Sequence, residues 1–462
     1  EVLYDVCKLN ILNTVYWKGD SMDYFLAACI GALSSILANK SLAVYNDGFR
    51  PIFAEYFNGG IDRKGLAATS FAVSFGLIVG FGFTNSIAMG IIIIHTFLLM
   101  GDIIGTWCPD TKTGTILSGV IGAVYGILVV AAMSSINSFF QMLPVNFLGS
   151  LGNVSTIVVA TFSVFPVIAV GYQHGLKKGI ITGVITFVTY LLIKKFGIIS
   201  IGDVAKLSLN ADGMAMLAGT LTMIFFGASV KDRASADEGI SNMFSNNVER
   251  IKKSWPLFAV MGGLISAAAA TLLLTSDVIS GPLALNGQYT EAALVALVRA
   301  IGYIPLVYTT AIVTGVFSPA GSYFVIAVGF FAASFGLSPV VLAVVAFVAG
   351  ALTVILETFV LGSIGKLLDT FPALREMGDH IRNAMSQILE VALLVGGFIA
   401  SNSIMAMIGL GYVGSMAVMV TWMLNKTAKK PFLIPLAVGP VVTIAMGILV
   451  NLLFLIGFPL VG

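Results

Sequence analysis

Charge is scarce in this sequence. Lys and Arg number 24 and Asp and Glu number 22, and together they make 10% of the 462 residues, against about 25% in an ordinary soluble domain. Hydrophobic residues make 58%, and there are 50 glycines besides. This composition excludes a soluble globular enzyme. Because a spanning helix takes about 20 residues, the sequence predicts an all-α polytopic membrane protein, a single transmembrane domain over 1–462.

Cysteine and clustered basic charge are scarce as well. The three cysteines, Cys7, Cys29 and Cys108, are an odd number without a C-x-x-C spacing, which argues against a disulfide framework and a zinc site. No run of Lys or Arg alternates with aromatic residues, so nucleic acid is excluded as a partner. His95 and His174 have no second ligand at metal spacing, and we expect no metal.

Catalytic motifs are missing too. The sequence contains no H-E-x-x-H, no G-x-S-x-G and no G-x-x-x-x-G-K-[ST]. These absences argue against a metalloprotease, a serine hydrolase and an ATP-driven pump. We therefore expect a protein that is not an enzyme, has no cofactor and draws its energy from a gradient.

The sequence instead has long apolar runs separated by polar or Gly/Pro segments. They predict about 12–14 transmembrane segments, with the polar loop 231–254 between two halves, 1–230 and 255–462. Two pieces, 137–153 and 363–385, are too polar to span. The predicted spans are 23–43, 65–84, 86–104, 114–135, 155–173, 178–198, 212–230, 255–275, 289–313, 320–336, 338–362, 386–402, 404–425 and 431–460.

Basic residues suggest an orientation. Four segments, 40–64, 231–254, 363–385 and 426–430, hold 15 of the 24 Lys and Arg, and such residues collect in cytoplasmic loops. All four lie on one side if 137–153 turns back without crossing, as a re-entrant hairpin. Seven spans in each half would suit an inverted repeat, because an odd number reverses the second half.

Arg299 is the main candidate for a binding residue, because a buried ionisable side chain in a membrane is costly. One interpretation is an anchor for an anionic substrate, since the guanidinium fork fits a carboxylate or phosphate. The other is a structural ion pair with an acid on a neighbouring helix. Pro305 is expected to break this span, after which Thr309, Thr310 and Thr314 offer hydroxyls that either bind substrate or bond back to their own helix. The candidate acids are Glu291, Glu357 and Glu390.

The segment LPVNFLGSLGNVST, 143–156, offers a second candidate site. Its Gly and Pro residues favour irregular backbone, which at membrane depth must be buried or line a cavity. Ser150, Asn153 and Ser155 are expected to precede the next helix, whose N-terminal N–H groups would then face an anion or zwitterion. The alternative is an ordinary N-cap at the membrane surface.

Several further residues are candidates for coupling or gating. Glu357 and Glu390 fall near the cytoplasmic ends of their spans, where a carboxylate serves as an H⁺ or Na⁺ coupling site or as an interfacial charge. The others lie in amphipathic loop helices that either gate the site or rest at the interface. They are Asp47, Arg50, Asp379, Arg382 and Asn383.

Five strings carry a resemblance to a known family: AVYNDGFRPI, LPVNFLGSLGNVSTIVV, RAIGYIPLVYTTAIVTGVF, SIGKLL and DHIRNAMSQILEVALLVGG. In this order they resemble the YhfT family of bacterial inner-membrane proteins. The resemblance implies a transport protein of unestablished substrate, and the family's association with genes for metabolic enzymes favours an amino-acid-like or phosphorylated solute. Where the family's hairpin has acids, this chain has Asn146 and Asn153.

The matched positions include most of the candidate residues. They are Asp47, Gly48, Arg50, Pro51, Pro144, Gly149, Ser150, Gly152, Arg299, Pro305, Thr309, Thr310, Glu357, Arg382, Asn383 and Glu390.

These observations together predict a secondary active transporter for a small polar or anionic metabolite in the bacterial inner membrane. By analogy with such transporters, an elevator-type homodimer is expected, with lipid, a small-molecule substrate and H⁺ or Na⁺ as partners. The alternatives are the membrane component of a phosphotransferase system, a passive channel, and a membrane-embedded enzyme acting on lipid.

Overall fold

The computed structural model is almost wholly helical. It describes residues 19–46, 49–57, 59–201, 205–209, 211–230, 238–319, 321, 323–370, 372–429, 431, 433 and 435–461. Within these, seven helices are long and apolar enough to cross a membrane, and two shorter apolar helices accompany them. The chain is an all-α polytopic membrane protein, as its composition predicts.

In the described part of the first half, the first helix is capped at its N-terminus by Asp20, whose side chain accepts from the backbone N–H groups of Met22 and Asp23. Its elements are α1 Ser21–Asn39, α2 Arg50–Phe57, α3 Arg63–Leu77, a π-helical turn Ile78–Phe83, α4 Thr84–Met89, β1 Ile92–Ile93, α5 His95–Trp107, α6 Lys112–Met142, α7 Leu148–His174, α8 Leu176–Phe196, the hairpin strands β2 Ile198–Ile201 and β3 Ala205–Ser208, and α9 Ala211–Ala228.

The second half is preceded by an amphipathic helix in the polar central loop. Its elements are α10 Glu238–Lys253, α11 Trp255–Ala270, β4 Leu274–Thr275, α12 Ser280–Leu285, α13 Tyr289–Thr314, α14 Phe324–Ala333, α15 Pro339–Thr370, α16 Pro372–Ala406, α17 Gly411–Thr427, a 3₁₀ turn Pro435–Ala437 and α18 Val438–Leu455.

The helices of the two halves pack in corresponding ways. In the first half α1 packs against α5 and α6, and in the second half α11 packs against α14 and α15. The two groups touch where α1 meets α11, and α7 packs along α16. Helix α10 lies against α13 and α15. There Asn247 donates to the carbonyls of Ile312 and Val313 at 2.9 and 3.1 Å, which satisfies the end of α13.

Within the described residues, four breaks in the helical path come together in pairs. We name the first break 40–46, the second 90–94, the third 271–279 and the fourth 315–319. The second and third pair as the parallel strands β1 and β4, and the first and fourth pair through an isolated parallel bridge between Ala43 and Phe317. Each of these breaks is thus paired with a break from the other half.

The ends of α1 and α11 have the same hydrogen bonds. Leu42 N donates to Leu37 O at 2.9 Å at the end of α1, and Leu273 N donates to Ala268 O at 2.9 Å at the end of α11. The sequence separation between the two donor residues, Leu42 and Leu273, equals the separation between the two acceptor residues, Leu37 and Ala268. The two helix ends therefore correspond residue for residue.

Both helix ends also contain a residue with positive φ that is not glycine. These residues are Ser41, with a φ of 54°, and Leu272, with a φ of 62°. Ser41 N donates to Ala38 O and Leu272 N donates to Ala269 O, each at 3.0 Å. Ser41 corresponds to Leu272 and Ala38 to Ala269 in the alignment set by the preceding hydrogen bonds. The two helix ends therefore match in backbone conformation as well as in hydrogen bonds.

Glycine contacts repeat in the same way. A Cβ added to Gly105 in α5 would meet Ser35 O at 2.5 Å, and one added to Gly329 in α14 would meet Ser266 O at 2.5 Å. Because real Cβ atoms do not approach so closely, only glycine fits at either position. Ser35 and Ser266 occupy the same place relative to the ends of α1 and α11.

All fourteen predicted spans overlap helices, but two expectations about the segments between and within them are wrong. The piece 137–153 is broken as expected, since 137–142 ends α6, 143–147 is a turn and 148–153 begins α7. The piece 363–385 extends α15 and α16 rather than forming a separate loop helix. Helix α13 continues through Pro305 to Thr314 and ends at Gly315 (φ 70°), because a proline removes one backbone donor without preventing the next turns from packing.

Candidate functional site

The second and third breaks meet at β1 and β4, and a cluster of buried and half-buried polar and aromatic side chains lies around them. We call this cluster the crossing site and define it as His95, Asp277, Arg299, Tyr303 and Tyr323. These residues come from the start of α5, the third break, two successive turns of α13 and the residue before α14. The strand pairing is what brings residues from both halves together here.

Asp277 is 1% exposed and is held by its own loop. Its Oδ1 accepts from the backbone N–H groups of Ile279 and Ser280 at 2.8 and 2.9 Å. Its Oδ2 accepts from the hydroxyls of Ser280 and Ser276 at 2.7 and 3.0 Å. Four donors therefore surround this carboxylate before any cation is considered, and they stabilise its charge away from water.

Arg299 is the cation beside that carboxylate. It is 5% exposed, and its Nε lies 3.9 Å from Asp277 Oδ2, which is longer than a hydrogen bond. The hydroxyl of Tyr303, one helical turn further on, also interacts with its guanidinium. The ion pair expected with Glu291, Glu357 or Glu390 is thus made with a different acid.

Aromatic rings enclose Arg299. Tyr303 stacks on Phe165 of α7, with ring centroids 6.1 Å apart, and meets Tyr323 edge-on at 5.5 Å. The hydroxyl of Tyr323 is 3.0 Å from His95 Nε2, and Phe81 lies edge-on to His95 at 5.2 Å. Rings close to a guanidinium keep water away and strengthen its attraction for an anion.

The first break has its own polar contacts at the corresponding place. Asn46 Nδ2 donates to Ser74 Oγ at 3.0 Å and to the carbonyl of Val73 at 3.1 Å. The fully buried Asp102 accepts from the backbone N–H groups of Tyr45 and Asn46, the latter at 2.9 Å. The backbone of the first break is thus tied to α3 and α5.

Arg50, which the sequence predicts either to gate the site or to rest at the membrane interface, is buried inside the protein. It begins α2, is 0% exposed, and its Nη1 donates to the carbonyl of Val307 in α13 at 3.0 Å. Arg250 of α10 donates to Ser41 O at 2.9 Å and lies over the Phe57 ring at 4.3 Å. Burial lowers the pKa of Arg250. Two arginines therefore connect the first half to a helix of the second half and to the helix of the central loop.

The three threonines of α13 are buried on the path to the fourth break. Thr314 Oγ1 donates to Thr310 O at 2.7 Å, which is the bond back to its own helix that one interpretation predicts. Thr309 and Thr310 are 4% and 7% exposed. They lie about three turns beyond Arg299 on a continuous helix, so the helix does not bring them to the crossing site.

The expectation that Ser150, Asn153 and Ser155 precede a helix is wrong. Helix α7 starts at Leu148, because Phe147 before it is buried among Phe140 and other apolar side chains and determines where the chain enters the helix. Asn153 Nδ2 donates to Ser403 Oγ of α16 at 3.3 Å, and Ser150 is half-buried. The side chain of Ser155 lies outside what the structure describes.

The predicted coupling and gating residues are dispersed. Glu357 is buried in α15, Glu390 is half-buried in α16 and Asn383 is exposed on α16. Asp379 and Arg382 belong to α16, but their side chains lie outside the described part, as does the whole of Asp47. Where the structure describes side chains, no three His, Cys, Asp or Glu come close enough to hold a metal.

Sequence reasoning missed most of the crossing site. Asp102 lies within the predicted span 86–104, so the criterion that selected Arg299 could also have selected it. Asp277 lies just beyond the predicted span 255–275, where that criterion does not apply. The sequence offers no second metal ligand for His95, and its partner in the structure is a tyrosine. No local signal marks Tyr303 and Tyr323, because the packing of α13 against α14 is what makes them neighbours.

The arrangement defines a polytopic helical membrane protein with broken helices and a buried ion pair at their crossing. The sequence model of the YhfT family, described as a protein of unknown function, matches residues 23–458, and the chain belongs to this bacterial family. It is similar to a YhfT described as uncharacterised from Escherichia coli (strain K12), with 31% identity over 445 residues, 94% of this chain and 97% of the relative. No solved structure matches the chain.

Proposed function

We propose that this protein is a secondary active transporter of a small anionic metabolite. The observation that carries the proposal is the Asp277–Arg299 pair, buried among aromatic rings where two broken helices meet. Broken helices at membrane depth are the common way in which transporters build solute sites, because unwound backbone is tolerated only next to protein or a cavity.

The two halves are structural repeats in this proposal, the first beginning at α1 and the second at α11. The shared hydrogen bonds, positive-φ residues and glycine contacts of these helices support it. Seven spans per half would invert the second repeat, and a solute site between the halves would open to each side in turn. The inner membrane, a homodimer and an elevator-type motion are parts of the same proposal and rest on analogy.

A ligand screen on purified protein tests the proposal first. A ligand at 100 times its dissociation constant stabilises the folded state by about 2.7 kcal/mol, which a thermal-unfolding assay detects. Anionic metabolites should raise the unfolding temperature of the wild type and not that of Arg299→Gln. Arg299→Lys, which keeps the charge but loses the fork, should respond weakly.

Hits are then assayed for uptake in vesicles that contain the protein. Accumulation of the unmodified solute that is driven by an H⁺ or Na⁺ gradient supports a secondary transporter. Flux that ignores any imposed gradient indicates a channel instead. Uptake that requires cell extract and yields a phosphorylated solute indicates a phosphotransferase component, and turnover of a lipid or solute without transport indicates an enzyme.

A further inference from the structure

The repeated architecture allows each contact in one half to be compared with the contact at the same place in the other. When the alignment of the α1 and α11 ends is continued along the chain, Asn46 of the first half is equivalent to Asp277 of the second half. Gly90 and Gly315 both end a helix with positive φ, at 75° and 70°. Each donates its backbone N–H to the fourth residue before it, at 3.0 and 2.8 Å. These two glycines therefore mark a second pair of corresponding positions.

Counting the same number of residues back from each glycine places Arg299 opposite Ser74. Asn46 donates to Ser74 and to the adjacent Val73 carbonyl, so the equivalence holds even if the π-helical turn that follows shifts the register by one residue. The contact between Asp277 and Arg299 therefore occupies the same place as the contact between Asn46 and Ser74. One half makes this link with two charges, and the other makes it with two neutral side chains.

The comparison separates structure from function. Both neutral residues are as buried as their charged counterparts, Asn46 at 5% and Ser74 at 0% exposed. The link itself therefore does not need an ion pair, although the carboxylate of Asp102 accepts from the Asn46 backbone N–H beside it at 2.9 Å. Taking two charges out of water has a desolvation cost that a neutral pair avoids, and the neutral pair of the first half shows that a less costly solution fits.

The geometry of the charged pair suits an arginine that binds a second anion. Asp277 receives four hydrogen bonds from its own loop, and it faces the Nε of Arg299 at 3.9 Å rather than forming a close two-pronged pair with it. A guanidinium has five N–H donors, so contacts with one carboxylate and with a tyrosine hydroxyl do not prevent it from binding the carboxylate of a ligand as well. Asp277 then acts as the resident counter-ion that keeps Arg299 in place when no ligand is bound.

We propose that Arg299 binds the carboxylate of a small-molecule ligand at the crossing site, with Asp277 as its resident counter-ion, and that Asn46 and Ser74 form the neutral, non-binding version of the same arrangement. The carboxylate is the ligand class because the site offers one guanidinium with tyrosine hydroxyls beside it. A phosphate would bring a second negative charge next to Asp277. This inference names the ligand class for the proposed function. It rests on the proposed function only for the claim that the bound ligand is transported.

The test uses acetate as the probe and thermal unfolding of the purified full chain as the readout. Asp277→Asn removes the counter-ion while leaving the side-chain shape, and should lower the unfolding temperature by several degrees. Sodium acetate should then raise it again, whereas sodium chloride at equal ionic strength and neutral acetamide should not. If Asp277→Asn does not fold, the wild type gives the second measurement: sodium acetate should raise its unfolding temperature and should not raise that of Arg299→Gln.

The matched control replaces Asp277 and Arg299 by the residue types found at the equivalent positions of the first half. Asp277→Asn with Arg299→Ser should fold, because that pair already fits the equivalent place, and it should not respond to acetate. An acetate response of the single variant that the double variant lacks supports the proposal. Equal responses in both, or none in either, overturn it. Inorganic phosphate that stabilises the single variant better than acetate also overturns the assignment of a carboxylate.

Flux decides the transport proposal separately. If acetate stabilises Asp277→Asn but the protein moves no solute in vesicles, the Arg299 carboxylate site is supported and the transporter proposal is wrong. If the protein takes up a solute in a gradient-driven manner but acetate does not stabilise Asp277→Asn, the transporter proposal is supported and the proposal that Arg299 is its carboxylate site is wrong.

Discussion

Ser41 and Leu272 adopt the same left-handed backbone conformation at the ends of two helices that start different halves of the chain. Their φ angles are 54° and 62°, and neither is a glycine. Each is followed two residues later by a residue that pairs with a break of the other half, Ala43 with Phe317 and Leu274 with Ile92. The strained turn at each helix end thus directs the chain towards its partner in the other half.

Replacing Ser41 by glycine should raise stability. A left-handed conformation costs a non-glycine residue roughly 1–2 kcal/mol, which Ser41→Gly should partly relieve. The opposite change is expected in a helix interior, where Ser135→Gly should cost about 0.5–1 kcal/mol. Denaturation of both variants against the wild type is the measurement. Destabilisation by Ser41→Gly equal to that by Ser135→Gly would mean that the strained turn has no cost.

Adding a side chain at the close helix contacts should destabilise the two halves in the same way. A Cβ at Gly122 would strike Ser35 and Gly31, and one at Gly350 would strike Ser266 and Gly262. Gly122→Ala and Gly350→Ala should therefore each destabilise the protein by about 1–3 kcal/mol, the usual effect of overpacking.

Gly149 in α7 is the control for these two variants. A Cβ there meets nothing within 4 Å, so Gly149→Ala should be neutral or should stabilise the helix by about 0.5–1 kcal/mol. Thermal unfolding of the three variants in the same detergent makes the comparison. A loss at Gly149 matching the losses at Gly122 and Gly350 would argue against the packing described.

The helix α10 should depend on Arg250. Its hydrogen bond to Ser41 O and its position over Phe57 predict that Arg250→Ala costs about 1.5–3 kcal/mol, the range for a bond from a charged group. Lys253→Ala is the control, because its pair with Glu249 is 74% and 65% exposed and such pairs contribute about 0–1 kcal/mol. Proteolysis within 231–254 should be faster in Arg250→Ala only.

The turn 143–147 should be accessible on one side and anchored on the other. Pro144 is exposed, whereas Val145 is buried and its backbone N–H and carbonyl both bond to Asn451 of α18 at 2.9 and 3.0 Å. In a background with the three native cysteines replaced by serine, Pro144→Cys should react quickly with a polar maleimide and Val145→Cys slowly.

Asn451→Ala should abolish that difference. It removes both bonds to Val145, and the loss of two buried hydrogen bonds should cost about 1–3 kcal/mol. Val145→Cys should then react faster while Pro144→Cys is unchanged. Retaining Cys108 in a parallel sample gives a slow reference, since burial raises the pKa of its thiol and a thiol reacts as the thiolate. Equal rates at both positions before the change would show that the turn is not anchored.

Composition alone was sufficient to predict the helical membrane class, because lipid leaves a chain with so little charge few other ways to satisfy its backbone. The positions of helices were also predictable, since apolar length and polar breaks are local properties. The irregular backbone that proline and glycine suggested for 143–156 is present at 143–147. It is absent from 148–156, because packing of Phe147 and of α7 against α16 keeps the segment helical from Leu148.

Arg299 could be selected from the sequence because a buried charge is costly wherever it lies in a span. Its partner could not, because Asp277 lies beyond the predicted span 255–275 and comes within 3.9 Å of Arg299 only through the tertiary structure. The same holds for Tyr323 and His95, whose side chains meet across 228 residues. The sequence by itself determined the class of protein, the helices and one half of the ion pair, whereas the pairing of breaks between the two halves, a long-range property, decided which polar residues share a site.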